Sequence, residues 1–163
     1  MLLHHGTDFR SAQDIRKHGI NLLQGEWTAD FGMGFYLATQ KGVAKGRASQ
    51  VGFRKRERGA ILTYELEMEG LAVLKPSLSD WEDIVLGFRR WGQAFADKLP
   101  EHDCIMGPIA DGKIAVMMEM LAANLITEAD FRAGLKAKLP GLQVAIKTKR
   151  AIEALVFREE CVL

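Results

Sequence analysis

The sequence predicts one α+β domain with a split, largely antiparallel β-sheet and flanking helices. Strand-like and helix-like segments follow one another without the regular alternation of a doubly wound parallel sheet. No repeat or Pro- or Ser-rich linker divides the chain, and its 163 residues suit a single hydrophobic core. We therefore expect one domain over residues 1–163.

The elements follow from hydrophobic periodicity and from start and stop signals. Ser11, three residues before Asp14, predicts a capping box for the first helix, which Gly19 ends. Thr127 predicts another N-cap. The predicted strands are 2–5 (ending in a turn at Gly6), 35–38, 60–68 (half-buried), 71–74, 103–106 (ending in a turn at Gly107-Pro108), 143–148 and 156–162. The predicted helices are 12–18, 40–49, one that follows Ser79, 113–125, 128–138 and 149–155.

Composition excludes several classes of protein. The formal net charge is +1, with 22 Lys and Arg against 21 Asp and Glu. Two cysteines cannot form a disulfide framework; they predict reduced thiols of a cytoplasmic protein, with one bridge left open. No apolar run approaches the ~18 residues of a membrane helix, and the N-terminal run is too short for a signal peptide. The histidines lack ligand spacing, so we expect no metal site.

The first 36 residues contain the most informative motifs. Gly6 allows close backbone approach to a ligand, where its amide and carbonyl can pair with a planar carboxamide. His5 can hydrogen-bond a sugar hydroxyl, and Tyr36 offers a flat face to an aromatic ring. Gly32 and Gly34 bracket one residue of a tight loop that can line the same cleft.

Three ordered motifs resemble the ADP-ribosyltransferase superfamily, in the branch of the poly(ADP-ribose) polymerases and diphtheria-type toxins. In that branch a strand ends in His-Gly-[Ser/Thr], a helix ends in Gly-Ile or Gly-Leu, and a Phe-Gly-x-Gly-[Ile/Phe]-Tyr block follows. The matching segments are His5-Gly6-Thr7, Gly19-Ile20 and Phe31-Gly32-Met33-Gly34-Phe35-Tyr36. Within the superfamily the chain resembles a small bacterial family of unknown function, sometimes found in toxin–antitoxin-like gene pairs. The segments that carry this second resemblance are 30–36, Arg89 or Arg90, 103–111 and 143–148.

The resemblance implies an NAD pocket. His5 would bind the 2′-hydroxyl of the nicotinamide ribose, the Gly6 backbone the carboxamide, and Tyr36 the nicotinamide ring. The motifs also assign Thr7, Phe31 and Gly34 to this pocket. A helix-end arginine, Arg90 or its neighbour Arg89, would clamp the pyrophosphate, or else complement the helix dipole.

The chain departs from the superfamily at its third catalytic position. Gln143 opens the late strand where the superfamily has a Glu that holds a ribose hydroxyl and stabilises an oxocarbenium-like transition state. Asp111 can replace that carboxylate as a base or ribose ligand, or else it caps the helix that begins near Lys113. Val43 stands near the position of a carboxamide-binding Ser, and Gly46 and Arg47 near that of a second stacking aromatic. Asp103 either faces the same cleft or bounds its strand.

These observations lead to three functional hypotheses. The first is a mono-ADP-ribosyltransferase, including a toxin, that cleaves the nicotinamide–ribose bond of NAD and modifies a macromolecule, either protein or nucleic acid. The second is an inactive nucleotide-binding module of the same fold. The third is an interaction protein that acts through the basic segment 41–58, neutralised by an acidic, antitoxin-like partner. That segment holds seven Lys and Arg and one acid; it is either a solvated face or a contact for phosphates.

Overall fold

The computed structural model describes residues 1–110 and 113–163, and for residues 137–140 the backbone alone. The strands are β1 Leu2–Asp8, β2 Phe35–Ala38, β3 Gly59–Leu66, β4 Val73–Leu74, β5 Cys104–Ala110, β6 Ala137–Ile146 and β7 Leu155–Val162. The helices are α1 Phe9–His18, α2 Lys41–Lys55, α3 Leu78–Trp91, α4 Gln93–Ala96, α5 Ile114–Ala122, α6 Glu128–Gly134 and α7 Lys149–Glu153. A short 3-10 turn occupies Leu22–Gln24.

The strands form one mixed sheet in the order β4-β5-β6-β2-β1-β3-β7. Strands β4 and β5 run parallel, and the other neighbouring pairs run antiparallel. The predicted α+β class, with a largely antiparallel sheet and flanking helices, is confirmed. No helix in the described ranges 1–110 and 113–163 has the length and apolar character needed to cross a membrane.

Side-chain alternation assigns the helices to the two faces of the sheet. His4 lies opposite Ala38 in this antiparallel pair, so Gly6, two residues after His4, and Tyr36, two residues before Ala38, point to the same face. Gly6 meets α2 on this face, and Tyr36 packs against the cluster built on α3. Ala12 of α1 and Ala151 of α7 belong to the core of the other face, which also contains Leu3 and Leu37. Helices α2 and α3 therefore share one face.

The expectation that β3 is half-buried is wrong, because helices cover both of its sides. Ile61 joins the cluster with Ala44 and Ala48 of α2, whereas Leu62 belongs to the opposite core. Even Thr63 is buried. An alternating sequence pattern indicates that one face of a strand is apolar, but it does not show whether a helix covers the other face.

Two predicted turns are continuous strand. Strand β1 does not turn at Gly6 but continues to Asp8, because Gly6 pairs with Ile61 of β3. Strand β5 likewise passes through Gly107 and Pro108, with an irregularity in its pairing after Pro108. A bulge of this kind tolerates a residue that lacks an N–H. In both cases the Gly allows residues outside the sheet to pack closely onto the strand and does not change the direction of the chain.

Two helix caps also differ from prediction. Helix α1 begins at Phe9 and its N-cap is Asp8, whose carboxylate accepts hydrogen bonds from the backbone and hydroxyl of Ser11. Helix α3, expected to follow Ser79, begins one residue before it at Leu78 and is capped by Ser77. The N-cap at Thr127 is confirmed, with Asp130 completing a capping box, as is the end of α1 at Gly19.

Candidate functional site

The candidate site lies where β1, β2 and β6 adjoin beneath α2 and α3. Among the described residues, the register of β1 with β2 is limited to His4 opposite Ala38. On its other side β2 pairs with β6 in full, and Ala38 lies opposite Gln143. Gln143 therefore points to the same face as Tyr36 and Gly6, whereas His5 alternates to the opposite face.

The His5 ring extends from β1 to β2. Its Nδ1 lies 2.8 Å from the carbonyl oxygen of Tyr36, and its ring stacks on Phe35 at 4.2 Å between centroids. Burial lowers the pKa of His5 to about 4, against the opposing effect of the Tyr36 carbonyl; the charge of Arg47 lowers it further. The imidazole is therefore neutral near pH 7. Because a carbonyl only accepts, Nδ1 carries the proton and Nε2 is an acceptor.

Tyr36 is tied into the loop that precedes β2. Its hydroxyl donates to the carbonyl of Gly32 at 2.6 Å and accepts from the backbone N–H of Phe31 at 2.9 Å. Burial raises the pKa of this phenol, so the hydroxyl keeps its proton. The side chain remains partly exposed. Tyr36 thus presents a fixed ring and not a mobile acid or base.

Gln143 lies in a buried polar network that sequence reasoning did not foresee. Its Nε2 donates to Asp30 Oδ2 at 3.0 Å and to the Pro108 carbonyl at 3.2 Å. Both partners are acceptors, which requires the amide nitrogen on this side. The Gln143 Oε1 makes no hydrogen bond to the residues that the structure describes, so it remains an acceptor for a ligand hydroxyl.

Asp30 connects this amide to a cation. Its Oδ1 accepts from Arg89 Nη2 at 2.5 Å, and only 11% of its side chain is exposed. The Nε of Arg89 is buried without a hydrogen-bond partner in the described residues. A carboxylate and a guanidinium are therefore held next to Gln143. A buried Asp directly before the Phe31–Tyr36 motif was the available signal for this network.

The loop that carries Asp30 is anchored to β6 by Lys147. The Lys147 ammonium donates to the carbonyls of Phe31 and Met33, the latter at 2.6 Å. Burial lowers the pKa of Lys147 to about 7. A Cβ on Gly34 would approach the Ile146 carbonyl at 2.7 Å, so glycine lets the loop lie against β6. These contacts position the loop for both Asp30 and Tyr36.

The structure gives Gly6 a packing role. A Cβ there would lie 2.0 Å from the Ala44 carbonyl oxygen, which only glycine accommodates. Three other residues predicted to contact NAD are also placed in the packed structure. Thr7 is buried, the Phe31 side chain is fully buried in the α3 cluster, and Gly34 lies against β6. A ligand contact from Phe31 therefore does not involve its ring.

The two helix-end arginines have different partners. Arg89 pairs with Asp30 in the network, whereas Arg90 forms an exposed ion pair with Glu128. Arg89 is therefore the arginine that belongs to the site. Asp103 has a structural role, because it accepts from the Ala72 backbone and from the Thr148 hydroxyl. Asp111 lies outside the described residues.

Comparison with known proteins assigns the family. A family model described as "Protein of unknown function (DUF3990)" matches residues 1–157. The chain belongs to the DUF3990 family. No curated protein matches this chain.

The cysteines of this DUF3990 chain are outside the network. Cys104 and Cys161 are free, and Cys104 is buried in β5. Burial raises the pKa of the Cys104 thiol to about 11. A buried thiol of this kind is inert, so the polar chemistry of the site falls to Asp30, Gln143 and the neutral His5.

Proposed function

We propose that this protein binds NAD across Tyr36 and Gln143 and transfers ADP-ribose from it to a macromolecular acceptor. The observation that carries the proposal is the carboxylate of Asp30, held 3.0 Å from the Gln143 amide. It supplies a negative charge beside the position where the resembling transferases have a Glu. The proposal includes the ADP-ribosyltransferase fold, of which the mixed sheet is the coarser description.

The reaction breaks the bond between ribose C1′ and the nicotinamide nitrogen. The electron pair leaves with nicotinamide, whose ring becomes neutral, and positive charge develops on the ribose. The acceptor's nucleophilic atom then bonds to C1′ and loses its proton to water. No metal is required to activate the leaving group, because the nicotinamide ring is already cationic in NAD and departs as a neutral molecule.

The polar network supports this chemistry in two ways. Gln143 Oε1 can accept a ribose hydroxyl, since its amide nitrogen is held by Asp30 and the Pro108 carbonyl. The Asp30 carboxylate, hydrogen-bonded to the same amide, would place its negative charge beside that hydroxyl and stabilise the developing cation. Preorganised charge of this kind lowers a barrier by several kcal/mol in a water-poor site. The positive charge of the Arg89 guanidinium reduces this electrostatic stabilisation, but its hydrogen bond to Asp30 holds the carboxylate in place.

His5 faces the opposite side of the sheet from Tyr36 and Gln143. Its role in the proposal is to hold β1 against β2, through the contact of its Nδ1 with the Tyr36 carbonyl. The two free thiols and the abundance of NAD in the cytoplasm favour that compartment as the site of the reaction. If the acceptor is a molecule of the producing cell, the protein is a toxin, and an antitoxin-like partner has to cover the cleft.

A second candidate function is nucleotide binding without turnover. It is favoured because both carboxylate oxygens of Asp30 already accept hydrogen bonds, one from Arg89 and one from Gln143. In the described residues no free carboxylate remains beside Gln143 to act as a general base. This candidate predicts NAD binding with no release of nicotinamide.

Incubation of the protein with NAD and a cell extract tests the proposal. Release of nicotinamide and labelling of a macromolecule from NAD labelled in the adenosine half are the expected results. Asp30→Asn keeps the shape and removes the charge, and it should slow release about 100-fold. The matched control is Asp14→Asn, which removes an exposed carboxylate paired with His18 and should leave the rate unchanged.

Two outcomes separate the candidate functions. A folded wild-type protein that binds NAD but releases no nicotinamide supports the binding module. A folded protein that neither binds NAD nor modifies any acceptor contradicts both.

A further inference from the structure

In the structure, some cations of the basic segment 41–58 pair with an acid or an aromatic ring, and the others pair with neither among the described residues. Lys41 bonds to Glu159 at 2.6 Å and Lys55 to Asp8 at 2.7 Å. The guanidinium of Arg58 lies 4.8 Å from the centre of the Phe9 ring. These three cations are therefore part of the fold.

The other four cations of the segment are exposed. They form no ion pair with any acid in ranges 1–110 and 113–163; they are Lys45, Arg47, Arg54 and Arg56. Glu57, the one acid of the segment, pairs with Arg10 at 3.1 Å. The outer surface of α2 thus keeps an uncompensated positive charge, although the whole chain has a net charge of only +1.

Helical spacing arranges these charges around an exposed aromatic ring. Arg47 and Arg54 lie on one edge of the outer surface, about two turns or ~10 Å apart. Lys45 lies on the opposite edge, and Arg56 ends the helix at its C-cap. Phe53 lies between the two edges with 86% of its surface exposed. The inner surface of α2, with Ala44, Ala48 and Gly52, is already buried against the sheet.

We propose that this outer surface of α2 (Lys45, Arg47, Phe53, Arg54 and Arg56) binds a single-stranded nucleic acid. Cations on both edges match the phosphates of a strand, and an exposed ring offers a platform on which an unpaired base can stack. In a duplex the bases are already stacked on one another, so none is free to stack on the Phe53 ring. The surface has no continuous apolar stripe for a membrane.

This surface lies near the candidate site, but the proposal that it binds a nucleic acid does not depend on NAD chemistry. Helix α2 rests on Gly6 through the Ala44 carbonyl, one helical turn before Arg47. A bound strand would therefore lie beside the strand that carries His5. Binding is measured without NAD, so its failure and the failure of the proposed transfer are separate results.

Fluorescence anisotropy with the full chain and labelled oligonucleotides of about 16 nucleotides tests the proposal, with DNA and RNA as separate arms. We expect binding to at least one single strand that weakens with salt between about 50 and 200 mM. The charge-removing variant Lys45→Gln/Arg54→Gln loses two phosphate contacts. Its slope of log binding constant against log salt concentration should therefore be less negative than the wild-type slope by about 1.4. The matched control, Lys17→Gln/Lys136→Gln, removes two exposed cations elsewhere and should keep the wild-type slope.

Phe53→Ala tests the aromatic contact separately. It should weaken single-strand binding roughly 10-fold and leave the salt slope unchanged. Because Phe53 is exposed, the circular dichroism spectrum should match that of the wild type. Any of four results overturns the proposal: no binding to either strand, equal weakening by the control variant, a duplex bound as tightly and Phe53→Ala without effect, or tighter binding to polyglutamate or anionic vesicles.

Discussion

Asp30 and Gln143 are 113 residues apart in the chain, and their side chains meet with Oδ2 3.0 Å from Nε2. The contact joins a loop before β2 to the middle of β6. The network continues to Arg89 at the end of α3. Three segments that are distant in sequence thus define one polar centre, and its charges are open to test.

Gln143→Glu should place two carboxylates against each other. We expect the variant to lose about 1–3 kcal/mol of unfolding free energy near pH 7, because like charges now replace an amide hydrogen bond. One carboxyl takes up a proton as the pH falls, so the loss should shrink under acidic conditions. Urea titrations over that pH range, with Gln143→Leu as an uncharged control, measure the effect. An equal loss at every pH would contradict it.

The two adjacent arginines of α3 should differ in their contribution to stability. Arg89→Met leaves Asp30 mostly buried without its cation and should cost about 1–3 kcal/mol; 31% of the Arg89 side chain is exposed, which limits the loss. Arg90→Met breaks only an exposed pair with Glu128 and should change stability by less than about 0.5 kcal/mol. Thermal or urea unfolding compares the two. Similar losses would indicate that Asp30 does not depend on Arg89.

Gly6, which lies beneath α2, and Gly46, which lies on the outer surface of α2, should respond to alanine substitution in opposite directions. Gly6→Ala brings a Cβ within 2.0 Å of the Ala44 carbonyl and should prevent α2 from packing, seen as loss of soluble, cooperatively unfolding protein. An added Cβ on Gly46, on the outer surface of α2, meets nothing within 4 Å. Gly46→Ala should therefore stabilise the protein by about 0.5–1 kcal/mol. A tolerated Gly6→Ala would contradict the packing observed between β1 and α2.

His5 should make stability depend on pH. Its folded pKa of about 4 lies below the ordinary histidine value of 6.5, so the unfolded chain binds more protons between these values. The unfolding free energy should therefore fall by about 3 kcal/mol as the pH drops from 6.5 to 4. Urea titrations across this window compare the wild type with His5→Gln, which should lose this component. Parallel curves for the two proteins would rule out the contribution.

Much of the fold follows from local pattern. The strand at β3, the N-cap at Thr127 and the glycine stop at Gly19 depend on neighbouring residues, and each occurs where the sequence indicates. The turns expected at Gly6 and Gly107 are wrong because both glycines serve distant partners. Gly6 accommodates the Ala44 carbonyl, and Gly107 accommodates the Phe31 ring. Local sequence cannot distinguish a glycine needed for a turn from one needed for close packing.

The sequence by itself determined the α+β class, the order of its motifs and the unusual Gln at position 143. It also located the basic segment 41–58 and left the arginine of the site open between Arg89 and Arg90, whereas its expectation for Asp111 falls outside the described residues. Only the tertiary structure decided that Asp30 and Arg89 lie with Gln143, and which cations of α2 remain unpaired. The physical reason is that hydrogen bonds and ion pairs act over a few ångströms. Chain separation carries no information about which charged groups meet.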